Sequence, residues 1–240
     1  MRGTTPAGAA SEREAAAWVR DMFGRVAPRY DLANHVLSLN VDRRWRARTA
    51  ACVRDILRRP GARAVDLCCG TGDLTHALAV ESAAAVFGSD FCHTMLTTAR
   101  RKIGRAAHLF EADALALPLA GQSVDLITIA FGFRNFANYE AGLEELRRVL
   151  RPGGALALLE FSQPPSALLA AAYGFYSRHV LPRIGGWISG HRDAYAYLPE
   201  SVRKFPTAEE LARLMEDAGF RQVHFERMTG GIVALHTGVA

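Results

Sequence analysis

The stretch Ala64-Val-Asp-Leu-Cys-Cys-Gly-Thr-Gly-Asp-Leu74 runs from a short apolar segment ending at Asp66, through a Gly70-Thr71-Gly72 turn, into a helical pattern opening at Asp73. Strand, glycine turn and helix in that order form the ligand-binding corner of a doubly wound sheet. Glycine tolerates a left-handed backbone and lets a ligand approach the chain closely. Alone, such a turn reads equally well as a tight connection with no ligand, so its neighbours decide. Ala85–Asp90 is a second short apolar run ending in an acid, and Asp90 lies 18 residues beyond Gly72. That is about the spacing at which a carboxylate accepts both hydroxyls of a ribose, ~20 residues. A third run, His108-Leu-Phe110, leads into Glu111-Ala-Asp113-Ala114, where Asp113 can face an adenine amino group. Each acid alone reads as a solvated loop residue or a helix cap; in series at three strand ends they point to one nucleoside.

The missing features narrow the ligand. A dinucleotide site carries a third glycine, and Thr75 stands in its place. The turn holds no cation and no Gly-Lys-Ser/Thr, which excludes a P-loop. Ribose and adenine without phosphate describe S-adenosylmethionine, with Asp73 or the backbone near Cys68 and Gly70 receiving its cationic amino-acid end.

The 240 residues are 50% hydrophobic and 22% charged, with a net charge of +5. They suffice for one α/β domain with additions. The mild positive excess suits an anionic surface, and no basic tract with interleaved aromatics indicates nucleic acid. Cys52, Cys68, Cys69 and Cys92 contain no Cys-x-x-Cys pair, so neither a metal site nor a disulfide framework is expected. No apolar run approaches the ~18 residues of a membrane span, and the N-terminus lacks a signal core. The expectation is a reduced, cytoplasmic protein.

Residues 1–10 are small and polar and are expected to be disordered, leaving one domain over 11–240. Ser11 caps a helix to about Gly24, with Glu14 completing a capping box and Trp18, Val19, Met22, Phe23 and Val26 as its apolar stripe. Helices follow at Tyr30–Leu39 and Asp42–Arg59, so the N-terminal helices fill 11–60. Strands are expected near 63–68, 85–90, 107–111, 124–130 and 154–160, with helices at 73–82, 92–103 and 139–150. This alternation predicts a Rossmann-like α/β sheet with helices on both faces. After Pro164-Pro165 a helical insertion, 166–200, interrupts it with Tyr173, Phe175, Tyr176, Trp187, Tyr195 and Tyr197. A helix at 207–219 then precedes two antiparallel strands, Gln222–Arg227 and Gly231–His236.

Four blocks carry a resemblance: Tyr30-Asp31-x-x-Asn34 with Ser38 and Trp45-Arg46, Asp66–Leu74, Phe131-Gly-Phe-Arg-Asn135, and Leu159-Glu-Phe-Ser162. Together they resemble the quinone-biosynthesis C-methyltransferases over roughly residues 18–240. The glycine turn is common to many methyltransferases; the third and fourth blocks are far narrower. The resemblance implies a seven-stranded class I methyltransferase sheet, mostly parallel with one antiparallel strand. It implies S-adenosylmethionine as methyl donor, and a polyprenyl quinol as substrate, either demethylmenaquinol or the methoxy-benzoquinol precursor of ubiquinone. The family's cofactor contacts fall on Thr71, Asp90, Asp113 and Ala114, beside the turn glycines Gly70 and Gly72. The position where relatives often carry a serine is Ala130, which leaves only its backbone for contact.

Methylating a ring carbon requires that an adjacent ring hydroxyl lose its proton and that the carbon be held in line with the methyl group. A fixed cation is the simplest stabiliser of the phenolate. Arg134, at the carboxyl edge of the fourth strand, fits this role, with Asn135 on the same oxygen or on a bridging water. Tyr30 and Asp31 are candidates to complete the pocket. The competing reading pairs Arg134 with Glu144 or Glu145 as a surface arginine. A methyltransferase acting on another phenol or a sterol, and a scaffold without chemistry, are the alternative functions. Aromatics and arginines of the insertion (Arg178, Arg183, Arg192) suggest peripheral contact with an anionic membrane; self-association is left open.

Overall fold

The computed structural model describes residues 3–6, 8–80 and 82–240, without the side chains of 189, 192 and 193. Its strands are β1 (Arg63–Leu67), β2 (Ala85–Asp90), β3 (His108–Glu111), β4 (Val124–Ala130), β5 (Leu150–Phe161), β6 (Arg221–Met228) and β7 (Val233–Val239). They form one seven-stranded sheet in the order β3-β2-β1-β4-β5-β7-β6. The first five pair in parallel, and β7 runs antiparallel to both β5 and β6. The chain order therefore reverses at β1, with β2 to one side and β4 to the other, which is where ligands bind in such sheets.

The helices are α1 (Glu12–Val26), α2 (Tyr30–Leu37), α3 (Val41–Cys52), α4 (Arg54–Leu57), α5 (Asp73–Ala79), α6 (His93–Ile103), α7 (Tyr139–Val149), α8 (Ala167–Phe175), α9 (Leu181–Ser189), α10 (Arg192–Lys204) and α11 (Ala208–Asp217). Alternation along the strands sends side chains to two cores. Val65, Leu67, Ile127, Ile129 and Leu156 meet Leu143 and Leu146 of α7 and Leu211 of α11. Ala64, Leu126, Ala157 and Leu235 meet Trp45 of α3 and Leu74 and Leu78 of α5. Both faces of the parallel strands are covered, which is why they read as continuous apolar runs. A third cluster joins Val19, Met22 and Val26 of α1 to Leu181, Tyr195 and Tyr197 of the insertion. The α1 stripe is thus core, and N-terminal helices and insertion together roof the carboxyl edge of the sheet.

Several boundaries differ from expectation. The helix read as Tyr30–Leu39 ends at Leu37, because Leu39 and Asn40 turn a corner at φ 52° and 61°. The helix read as Asp42–Arg59 breaks at Val53 into α3 and α4. Strand β5 begins at Leu150, its pairing shifting across the Pro152-Gly153-Gly154 turn. Strand β7 starts at Val233, since Gly231 at φ 96° belongs to the preceding turn, and it runs on to Val239 because β5 pairs with it that far. The Ser11 hydroxyl accepts from the Glu14 amide as a cap, but Glu14 reaches back to the amide of Ala10. The full capping box is at Thr207 and Glu210. Within the stretch expected to be disordered, Thr4 is buried and donates its amide to the carbonyl of Phe136 at 2.7 Å. Its hydroxyl lies 2.6 Å from that of Tyr197; residues 1, 2 and 7 are outside the described set.

Candidate active site

At the carboxyl edge the turn after β1 leaves Cys68, Gly70 and Gly72 at positive φ. A Cβ on Gly70 would meet only the Tyr30 ring, at 4.0 Å, so this stretch offers bare backbone to the cleft before it. Gly132 does the opposite: a Cβ there would lie 2.3 Å from that of Cys68, so the turns after β1 and β4 touch without room for a methyl group.

Asp90, at the end of β2, is buried. Its Oδ2 accepts from the amide of Gly70 and its Oδ1 from the amide of Cys92, both at 2.9 Å. Burial raises its pKa to about 6, and those amides restrain the rise. The carboxylate is thereby aimed into a cleft lined by Gly70, Asp90, Asp113, Ala114, Ala130 and Asn135. Leu67, Phe91, Met95, Leu115 and Phe136 supply apolar walls, and no Lys or Arg is among the described residues lining it. Flat apolar walls, two acids and no cation fit a nucleoside that bears no phosphate. The hydroxyl of Ser89, buried beside Asp90, finds no partner among the described residues.

Behind this cleft lies a second cavity of about 590 Å³. Tyr30, Phe23 and Phe131 line both spaces and form the wall between them. The larger cavity is roofed by α2, α3 and the insertion, and Arg134 opens into it. The Arg134 side chain is buried and Nη1 donates to Glu160 Oε1 at 3.0 Å and to the carbonyl of Phe131. Its Nε has no partner among the described residues. Burial favours the neutral guanidine, but Glu160, with Tyr30 and Tyr197, outweighs it and holds the arginine above its ordinary pKa. Burial raises the pKa of Tyr30, with Arg134 pulling against it, so its hydroxyl stays a donor. The side chain of Asn135 accepts from the hydroxyl of Tyr197 at 3.0 Å.

A model of the ubiE/COQ5 methyltransferase family matches residues 9–240. The chain belongs to this family. It is 48% identical over 221 residues to a demethylmenaquinone methyltransferase of Thermus thermophilus, covering 90% of this chain and 99% of that one. It is 47% identical over 226 residues to a ubiquinone/menaquinone biosynthesis C-methyltransferase of Syntrophotalea carbinolica, covering 91% and 92%. Among solved structures, a SAM-dependent methyltransferase of Thermotoga maritima superposes with a TM-score of 0.63 at 18% identity, over 91% of this chain and 98% of that one, which shows the shared fold. The seven-stranded class I methyltransferase sheet is thus the family's frame, and the family is one of methyltransferases.

Within that frame the sequence candidates divide. Tyr30, Gly70, Asp90, Asp113, Ala114, Ala130 and Asn135 converge on the smaller cleft. Thr71 and Gly72 do not line it; the Thr71 hydroxyl donates to Asp31. Asp31 and Asp73 are both held by Lys102 and line neither of the two cavities. Asp113 is exposed and accepts the amide of Leu115 at 2.9 Å. Arg134 does not pair with Glu144 or Glu145, since Glu145 is taken by Arg148; its partner is Glu160. Glu160 is the site residue that the sequence reading quoted without giving it a role. The signal was there, an acid inside the apolar run Leu156–Phe161, where a buried charge demands a partner.

Four of the six insertion aromatics, Tyr173, Tyr176, Tyr195 and Tyr197, line the large cavity. Phe175 and Trp187 instead face outward, with Trp187 85% exposed. No helix among the described residues is long and apolar enough to cross a membrane.

Proposed function

We propose that this chain transfers a methyl group from S-adenosylmethionine to a ring carbon of a polyprenyl quinol, chiefly demethylmenaquinol. The observation that carries the reading is the pair of adjoining cavities with Tyr30 and Phe131 between them, one suited to a nucleoside and the other apolar, aromatic and closed by a buried arginine. S-adenosylmethionine, when bound, supplies a methyl group activated by a sulfonium. Asp90 accepts the ribose hydroxyls, Asp113 and the backbone of Ala114 face the adenine, and the backbone of Gly70 and Ala130 closes the cleft, with Thr71 and Gly72 shaping the turn.

On the acceptor side, Arg134 stabilises the oxygen next to the methylated carbon as its hydroxyl ionises, which raises electron density on the ring. Its pKa makes it a poor base but a permanent cation. Asn135 and Tyr30 orient that oxygen or a water that carries off the proton. Glu160 positions Arg134 by holding its Nη1. The ubiquinone precursor is the second reading, favoured by the double name of the Syntrophotalea relative. The tail of such a substrate belongs in a bilayer. Val36, Leu39 and Ile184 line the large cavity and are also exposed, so the chain meets an anionic membrane peripherally at that mouth. Arg178 and Arg183 of the insertion add charge; the side chain of Arg192 lies outside the described residues.

The test is direct. Purified protein, S-adenosylmethionine and a short-chain demethylmenaquinol kept reduced should give a product one methylene heavier by mass spectrometry, with the methyl on the ring carbon. Methylation on oxygen, or turnover only with a sterol or simple phenol, would overturn the proposal.

A further inference from the structure

The large cavity holds a second guanidinium. Arg46 sits one residue after Trp45 on α3, and the Trp45 indole donates to the Thr229 hydroxyl at 2.9 Å, which fixes that turn of helix against the sheet. Arg46 Nη1 donates to Asp42 Oδ2 at 2.5 Å. The corner at Leu39 and Asn40 folds α3 back on α2, so Asp42 is also held by Ser38 Oγ at 2.6 Å and by His35 Nδ1 at 2.9 Å. Ser38, Asp42 and Arg46 all line the cavity that Arg134 lines. The two arginines flank one pair of rings. Phe131 and Phe161 lie 4.8 Å apart, with Arg46 5.4 Å from the centre of the first and Arg134 5.3 Å from the centre of the second. Both bear electrostatically on the Tyr30 hydroxyl.

Each guanidinium is neutralised by one acid, Asp42 or Glu160. Among the described residues Arg46 gives only Nη1 to a protein partner, so the rest of its fork is open. The station pairs donors on Arg46 with acceptors on Ser38 and Asp42, which is what a neutral hydroxyl needs on both of its sides. An apolar cavity does not accumulate one buried and one half-buried cation, each paired to an acid, without polar atoms to meet them, because desolvating a charge is costly.

We propose that Arg46, held by Asp42, receives the second oxygen of the quinol ring, para to the one that meets Arg134, and thereby makes the enzyme select dihydroxy rings. The inference rests on the quinol reading of the cavity. A site built to bond a hydroxyl rejects the analogue that lacks it, because its own buried groups are then left unpaired.

The experiment compares two acceptors at saturating S-adenosylmethionine. One is a dihydroxynaphthalene with a short prenyl chain; the other is the naphthol lacking only the hydroxyl beside the prenyl-bearing carbon. The wild type should prefer the diol in kcat/KM by roughly ten- to hundredfold, the worth of one hydrogen bond to a charged group. Arg46→Gln should lose most of that on the diol and little on the naphthol, so the preference collapses. Arg46→Lys, which keeps a counter-charge for Asp42, should fall between them with an unchanged melting temperature and S-adenosylmethionine affinity. Equal losses on both acceptors would make Arg46 a structural residue and overturn the proposal. A wild type active on the diol but without preference overturns it as well. A wild type that binds S-adenosylmethionine yet methylates neither acceptor overturns the quinol reading itself.

Discussion

Asp90 is held between burial, which raises its pKa to about 6, and two amides that favour its charge. In the proposed role the ionised carboxylate would accept from two ribose hydroxyls; protonated, it would accept less and offer a proton instead. The folded pKa is raised, so ionisation is complete well above pH 6 and is lost as pH falls through it. S-adenosylmethionine affinity measured by calorimetry should therefore be flat at neutral pH and drop by up to ~tenfold per unit below about 6. Asp90→Ala should bind ~tenfold or more weakly at neutral pH and show none of this pH dependence; near wild-type affinity would remove Asp90 from the site. For Arg134 the outcome depends on the replacement. Arg134→Ala strands the buried Glu160 and should lose ~3–5 kcal/mol of stability as well as turnover. Arg134→Lys keeps the charge but not the planar fork. It should melt close to the wild type, bind S-adenosylmethionine normally, and lower kcat and kcat/KM together.

The turns after β1 and β4 work as one element pair. Phe131 takes a positive φ of 60°, and Gly132 packs its bare Cα on Cys68. Gly132→Ala would drive a methyl group into a backbone-anchored Cβ, and neither side can rotate away. Overpacking of this kind costs ~1–3 kcal/mol, and the displaced Cys68 shifts the cofactor turn. The expected result is a lower melting temperature with a larger loss of S-adenosylmethionine affinity. Gly153→Ala is the control: its φ of 80° is strained for alanine, yet a Cβ there meets nothing within 4 Å. It should cost stability without touching affinity. Equal affinity losses in both variants would show that the close approach at Gly132 has no special tie to the site.

Across the whole molecule, exposed apolar side chains gather on the segments that roof the large cavity: Val36 on α2 and Leu39 just after it, Leu168 and Phe175 on α8, Ile184 and Trp187 on α9. Amphipathic rings and aliphatic tips around an apolar opening suit a bilayer interface, and the net charge of +5 favours an anionic one. The protein should co-float with anionic vesicles and release in 1 M salt, where the Debye length shrinks to ~3 Å. A Phe175→Ser, Trp187→Ser double variant should float poorly while methylating a short, soluble quinol at the wild-type rate. Equal flotation of variant and wild type would place the membrane contact elsewhere.

The sheet was legible in the chain because its signals are local. Short apolar runs, the glycine turn and an acid at each strand end place Asp90, Asp113 and Gly70 on one edge once the β-α alternation is recognised, and these residues do share a cleft. The four motif blocks pointed to the family over nearly the same span as the family match. What the sequence could not hold were partnerships between charges far apart in the chain. Arg134 and Glu160 are separated by 26 residues and join only because β4 and β5 pair in parallel and end side by side. Thr71 is drawn to Asp31 and away from the cleft by a helix 40 residues upstream. The Asp42–Arg46 station exists because a left-handed corner turns α3 back over the cavity. Periodicity reports which face of an element is apolar; which buried charge neutralises which is set by tertiary packing, where leaving one unpaired is too costly for the fold to allow.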